Sequence, residues 1–94
     1  MDVISNRPLR EFAENFPAAS TPLQVWRKTL ERSSPANFAE LRQIFGSVDR
    51  VGEMYVFDIK GNHCRLVCFV NFKAQRCYVR HVMTHTEYDR GKWK

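Results

Sequence analysis

Apolar positions along the chain follow two rhythms, and the change from one to the other falls near Gly46. Before it, Leu9, Phe12, Ala13 and Phe16 recur at i, i+3, i+4 and i+7, which lays an apolar stripe along one side of a helix. Asn6 offers a capping oxygen ahead of that helix, Pro8 suits its first turn and Pro17 ends it. A second helix is expected with Thr21 as cap, Pro22 in its first position and Leu23, Trp26 and Leu30 facing inward. Ser33-Ser34-Pro35 breaks the pattern. Asn37, followed three positions on by Glu40, then predicts a reciprocally capped third helix carrying Phe38, Leu41, Ile44 and Phe45 and stopped by Gly46. A short strand over residues 2–5 precedes them all.

After Gly46 the period shortens to two. Tyr55, Phe57 and Ile59 alternate with Val56, Asp58 and Lys60, and Gly61-Asn62 reads as a hairpin turn. Cys64, Leu66, Cys68, Val70 and Phe72 share one parity and are uniformly apolar, while His63, Arg65, Val67, Phe69 and Asn71 take the other face. Beyond a turn at Lys73-Ala74, strict alternation places Cys77, Val79 and Met83 inward, with Arg76, Tyr78, Arg80 and Val82 directed away from the core. Residues 84–89 predict a single helical turn leading into a basic end. This order of elements predicts an α+β fold, with N-terminal helices packed on one face of a curved, mostly antiparallel β-sheet, within a single domain over residues 1–94.

Composition narrows the classes. Hydrophobic residues make up 44% of the 94 and are spread through the chain, which excludes a disordered tail. No apolar run has the roughly 18–20 residues of a membrane span, and the N-terminus lacks an export signal, so no membrane association and a cytoplasmic location are expected. Cys64, Cys68 and Cys77 are an odd set on strand positions and are expected as buried thiols instead of a disulfide framework. His63 and Cys64, being adjacent, point to opposite faces, and neither a metal nor another cofactor is predicted. The net charge of +5, with basic residues denser after Arg50, points toward a polyanionic partner.

The candidate chemistry lies in the last two long strands and the segment after them: Arg65, Lys73, Arg76, Arg80, His85, Tyr88 and Asp89. Guanidinium groups bind a phosphate and stabilise the charge that develops on it during transfer. The strand parity makes Arg65 and Arg80 same-face neighbours. His85, Glu87, Tyr88 and Asp89 concentrate groups that move or hold protons where the chain leaves the sheet. A solvated sheet face with arginines covering apolar neighbours would account for the charges alone.

The stretch from Tyr55 to Val67, with its Gly61-Asn62 turn ahead of Arg65-Leu66-Val67, resembles the HigB-type toxins of the RelE/ParE superfamily. So does the ending from Cys77 to Asp89, with its Thr84-His85-Thr86-Glu87-Tyr88-Asp89, and the likeness extends to Val3-Ile4-Ser5, Leu9-Arg10-Glu11-Phe12 and residues 37–42. The resemblance implies a RelE-like fold and a toxin of a type II toxin-antitoxin system, with ribosome-dependent endonuclease activity on mRNA. A HigA-type helix-turn-helix antitoxin would neutralise it and bind operator DNA. Carried onto this chain, the family motifs single out Asn62, Arg65, Arg80, His85, Tyr88 and Asp89, with Lys73 at a position that is basic in some members.

RNA carries its own nucleophile, the 2′-hydroxyl beside the scissile phosphate, so cleavage needs no metal. Arg65 and Arg80 are expected to clamp the phosphate, with Lys73 and Arg76 as further substrate contacts, and His85 to transfer a proton. Tyr88 is expected as its partner or as a base-stacking platform, and Asp89 as an orienting group. Arg27, Lys28, Arg32, Arg90, Lys92 and Lys94 are candidates for docking to ribosomal RNA. Two other readings fit the same architecture: a ParE-like gyrase poison that cleaves nothing, and a noncatalytic RNA-binding module.

Overall fold

A computed structural model describes residues 1–59, 64–91 and 93. The expected Gly61-Asn62 turn, with Asn62 as a site candidate, lies outside the described residues, as do His63, Lys92 and Lys94. The chain runs β1 (Asp2–Ile4), α1 (Arg7–Asn15), a 3-10 turn (Pro17–Ala19), α2 (Ser20–Glu31), α3 (Phe38–Ile44), β2 (Asp49–Val51), β3 (Met54–Asp58), β4 (Arg65–Asn71), β5 (Arg76–Met83) and α4 (His85–Asp89). The α+β class expected from the two rhythms is the class observed.

Helix starts differ from expectation in two places. Asn6 makes no cap; its Oδ1 accepts from Gln24 Nε2 at 3.0 Å and ties α1 to α2, while Ser5 Oγ accepts from the Arg7 N–H at 3.3 Å. Pro17 opens no gap, because the 3-10 turn runs directly into α2 at Ser20 and leaves Thr21 inside the helix. The third start is as expected: Asn37 accepts from the Glu40 N–H at 3.0 Å, and Glu40 Oε1 accepts from the Ala36 N–H at 2.9 Å. That helix ends on Phe45 in an extended conformation, without a left-handed glycine.

Among the described residues the sheet has five strands in the order β1-β5-β4-β3-β2; β1 lies parallel to β5, and the other neighbours are antiparallel. Edge strand β2 is not expected from the sequence, since three residues with little burial carry no alternation signal. On one face, Leu9, Leu23, Trp26, Leu30 and Leu41 from the helices meet Tyr55, Phe57, Leu66, Cys68, Val70 and Cys77 from the strands. Phe57 is the centre of this layer, with the rings of Trp26 and Phe45 edge-on to it at 5.2 and 5.3 Å. All three cysteines are buried in it.

One irregularity reshapes the C-terminal half of the sheet. Val67 is opposite His81 but Cys68 is opposite Val79, so β5 carries one surplus residue, Arg80, in a β-bulge. An extra residue inverts parity beyond it. Val82 therefore turns to the helix-covered face and packs on the main core, whereas Met83 joins the opposite face. Strict alternation predicts the reverse for both, and the bulge is the cause. Met83 there packs with Val56 and Val67, against which Met54, Tyr88 and Trp93 also lie, so the second face is partly covered by a small apolar layer beneath α4. No helix among the described residues is long and apolar enough to cross a membrane.

Candidate active site

Helix α4 leaves the end of β5 across this second face, and its placement is fixed at its first residue. Thr84 Oγ1 accepts from the Glu87 N–H at 3.2 Å while Glu87 Oε1 accepts from the Thr84 N–H at 3.0 Å, a reciprocal capping box. The Glu87 carboxylate is thereby engaged in the cap. His85 and Tyr88, three residues apart, are neighbours on one side of the helix. Trp93 folds back so that its indole stacks on the Tyr88 ring at 5.2 Å and its Nε1 donates to the Tyr88 carbonyl at 3.3 Å.

Asp58 at the end of β3 and Arg65 at the start of β4 are direct cross-strand partners, and Met83 is opposite Arg65 on its other side. An aspartate facing an arginine at this spacing would ordinarily pair with it. Among the described residues it does not. The Arg65 guanidinium lies over the Tyr88 ring, 4.9 Å from its centroid, with its Nε buried and without a hydrogen-bond partner. The Asp58 carboxylate turns to His85, with Oδ1 3.4 Å from Nε2, and the two side chains remain 27% and 30% exposed. With Arg65 and Trp93 both against its ring, Tyr88 has its hydroxyl to offer more than an open stacking face.

The structure thus gathers Arg65, His85 and Tyr88 and adds Asp58, which in the sequence is an ordinary outward strand position. Cys64 lies near Asp58 but in the main core; burial and then the Asp58 carboxylate push its thiol up to about 11. Cys68 is also raised well above the usual thiol range, by burial and its contact with Cys77. Among the described residues no group of three or more histidine, cysteine, aspartate or glutamate side chains could hold a metal ion.

The remaining candidates are placed elsewhere. Arg80 is exposed at the bulge, with its guanidinium 5.9 Å from the Tyr78 ring. It sits three residues along β5 from the position opposite Arg65, roughly 10 Å at the usual rise. It lines a cleft of about 680 Å³ between α1, β5 and α4, together with Glu11, Phe12, Glu87 and Arg90. Neither Arg65 nor His85 lines this cleft. Arg76 pairs with Asn71 at the far end of β4, six residues or roughly 20 Å from Arg65, and exposed Lys73 is in the adjoining turn. Asp89 is exposed at the end of α4.

Comparison with known proteins shows the family. Residues 19–91 match the family model described as HigB_toxin, RelE-like toxic component of a toxin-antitoxin system. The chain is 36% identical over 92 residues to the mRNA interferase toxin HigB of Escherichia coli K12, covering 95% of this chain and 88% of that protein. The same figures hold for the mRNA interferase HigB of Shigella flexneri. A further mRNA interferase HigB, from Escherichia coli O6:H1, is 29% identical over 93 residues, covering 96% of this chain and 90% of its own. With its fold, its match over most of its length and these relatives, the chain belongs to the HigB toxin family, the RelE-like toxic components of toxin-antitoxin systems.

Proposed function

We propose that this toxin is an endoribonuclease that cuts mRNA on the ribosome in the cytoplasm, without a metal, and is neutralised by a HigA-type antitoxin. The observation that carries the chemistry is the separation of charges at the site: the carboxylate that could neutralise Arg65 is turned to His85 instead. A guanidinium without a carboxylate partner among the described residues, lying over an aromatic ring, suits a phosphate that gains charge during transfer.

In this mechanism the 2′-hydroxyl oxygen attacks phosphorus and the bond to the 5′-oxygen breaks, leaving a 2′,3′-cyclic phosphate and a 5′-hydroxyl. His85 takes the 2′-hydroxyl proton on an imidazole nitrogen. Tyr88 protonates the leaving oxygen through its hydroxyl, and Arg65 over its ring stabilises the phenolate left behind. Arg80, on the neighbouring stretch of β5, contacts an adjacent phosphate of the bound strand. Lys73 and Arg76 extend a basic track away from the site, Asp89 orients the end of α4, and Asn62 contributes from the β3–β4 connection.

The test is cleavage of a short mRNA on programmed ribosomes, with the product ends identified. Cyclic phosphate and 5′-hydroxyl ends, lost in His85→Ala, are expected. Full cleavage by His85→Ala, or 3′-hydroxyl ends, would exclude this mechanism, and gyrase-dependent DNA breaks without RNA cleavage would exclude the activity itself.

A further inference from the structure

We infer that Asp58 is a positioning residue for the proton transfer assigned to His85, holding the imidazole so that Nε2 carries the hydrogen and Nδ1 presents its lone pair to the RNA; this rests on the function proposed above. Three observations lead to it. Nε2 and Asp58 Oδ1 face each other at 3.4 Å, and both atoms are closed off from solvent. The exposed 30% of the His85 side chain therefore lies on the remainder of the ring, the part that includes Nδ1. Asp58 also has an arginine directly opposite in the ladder and is turned to the histidine in preference to it.

A neutral imidazole has one N–H and one lone pair, and the partner of one nitrogen decides which role the other has. An ionised carboxylate only accepts hydrogen bonds, so a carboxylate beside Nε2 requires the hydrogen there. The basic nitrogen is then Nδ1, on the accessible side. At 3.4 Å the two atoms approach without making a hydrogen bond in this unliganded structure, and catalytic hydrogen bonds in unliganded proteins are often long or poorly aligned and tighten when substrate closes the site. The alternative pairing, Asp58 with Arg65, would cost the site twice, by neutralising the phosphate clamp and by freeing the imidazole to rotate.

Among the described residues Asp58 Oδ1 has no hydrogen-bond partner to hold it elsewhere, so an asparagine in its place is free to turn its carbonyl oxygen to Nε2. That separates an accepting role from a merely structural one. In single-turnover cleavage on ribosomes, Asp58→Ala should lower the maximal rate about a hundredfold with the half-saturating ribosome concentration changed less than about twofold, while Asp58→Asn stays within about tenfold of wild type. In the His85→Ala background, Asp58→Ala should add no further loss, because both changes remove one unit. Asp58→Leu, similar in volume and without oxygens, replaces the alanine variant if that one fails to fold. In ¹⁵N-histidine spectra of the wild-type protein, the neutral His85 ring should carry its hydrogen on Nε2.

An active His85→Ala variant would remove the mechanism proposed above, and the role of Asp58 with it. A dead His85→Ala variant beside a fully active Asp58→Ala variant would overturn only the role of Asp58. So would equal losses from Asp58→Ala with and without His85, or a hydrogen resident on Nδ1.

Discussion

Replacing Arg65 by alanine separates catalysis from folding at this site. The buried Nε makes no hydrogen bond among the described residues, and what the guanidinium gives the fold is its stacking at 4.9 Å on Tyr88. Such an interaction is worth about 0.5–1 kcal/mol where it is partly exposed. Against a small domain's stability of about 5–15 kcal/mol that is a minor loss, and the variant should remain folded. Loss of a preorganised charge donor at the reacting phosphate instead costs about 100- to 1000-fold in rate, about 2.7–4 kcal/mol of barrier. Single-turnover cleavage and urea unfolding of the same preparation measure the two effects together. Arg65→Lys should fall between, since it keeps the charge but neither the planar fork nor the ring stacking. Cleavage by folded Arg65→Ala at the wild-type rate would refute the assignment, and a stability loss above about 3 kcal/mol would make Arg65 a structural residue.

Three other outcomes follow from the geometry. Thr84→Ala removes the hydroxyl that caps α4, which should cost about 1 kcal/mol in urea unfolding and reduce cleavage further than the stability change explains, because His85 and Tyr88 follow that cap. Lys73→Ala with Arg76→Ala should leave the single-turnover rate intact and make log affinity for RNA less steep in log salt by about two, one for each phosphate that is no longer neutralised; a large fall in rate would place them at the reacting bond. Cys64 holds its proton to about 11 when folded, against 9.0 for an ordinary thiol, so the unfolded chain loses that proton first. Stability should thus be undiminished below pH 9 and decline from pH 9 toward 11, read as a falling urea midpoint, with a Cys64→Ala variant showing a weaker decline.

Much of the fold is legible along the chain because each long element buries one side. Helices with stripes such as Leu23, Trp26 and Leu30, and a strand with Cys64, Leu66, Cys68 and Val70 on one parity, leave little choice of orientation. What fails is the assumption that alternation persists. The residues from Val79 to Met83 fit equally well in either phase, since Val82 and Met83 are both apolar, and only pairing with β4 reveals the surplus residue. Arg65, His85 and Tyr88 are identifiable by chemical type and by family resemblance. Asp58 is not, because its significance lies in turning away from the arginine opposite, a choice of side-chain direction that spacing does not encode. Lys73 and Arg76 group with the site by proximity in sequence, yet a strand's length separates them from it.

The bulge in β5 has a consequence for which changes the chain can tolerate. Deleting one residue between Val79 and His81 would leave a regular ladder with the same partners, Val82 still turned to the helices and Met83 still beneath α4, so what the extra residue supplies is a local bend of the strand and not the placement of those two side chains. The side chain occupying the extra position is another matter: it is exposed and holds no core together. Every core residue of β5 would thus keep its present face without a residue at position 80, and the fold places no demand on which side chain stands there.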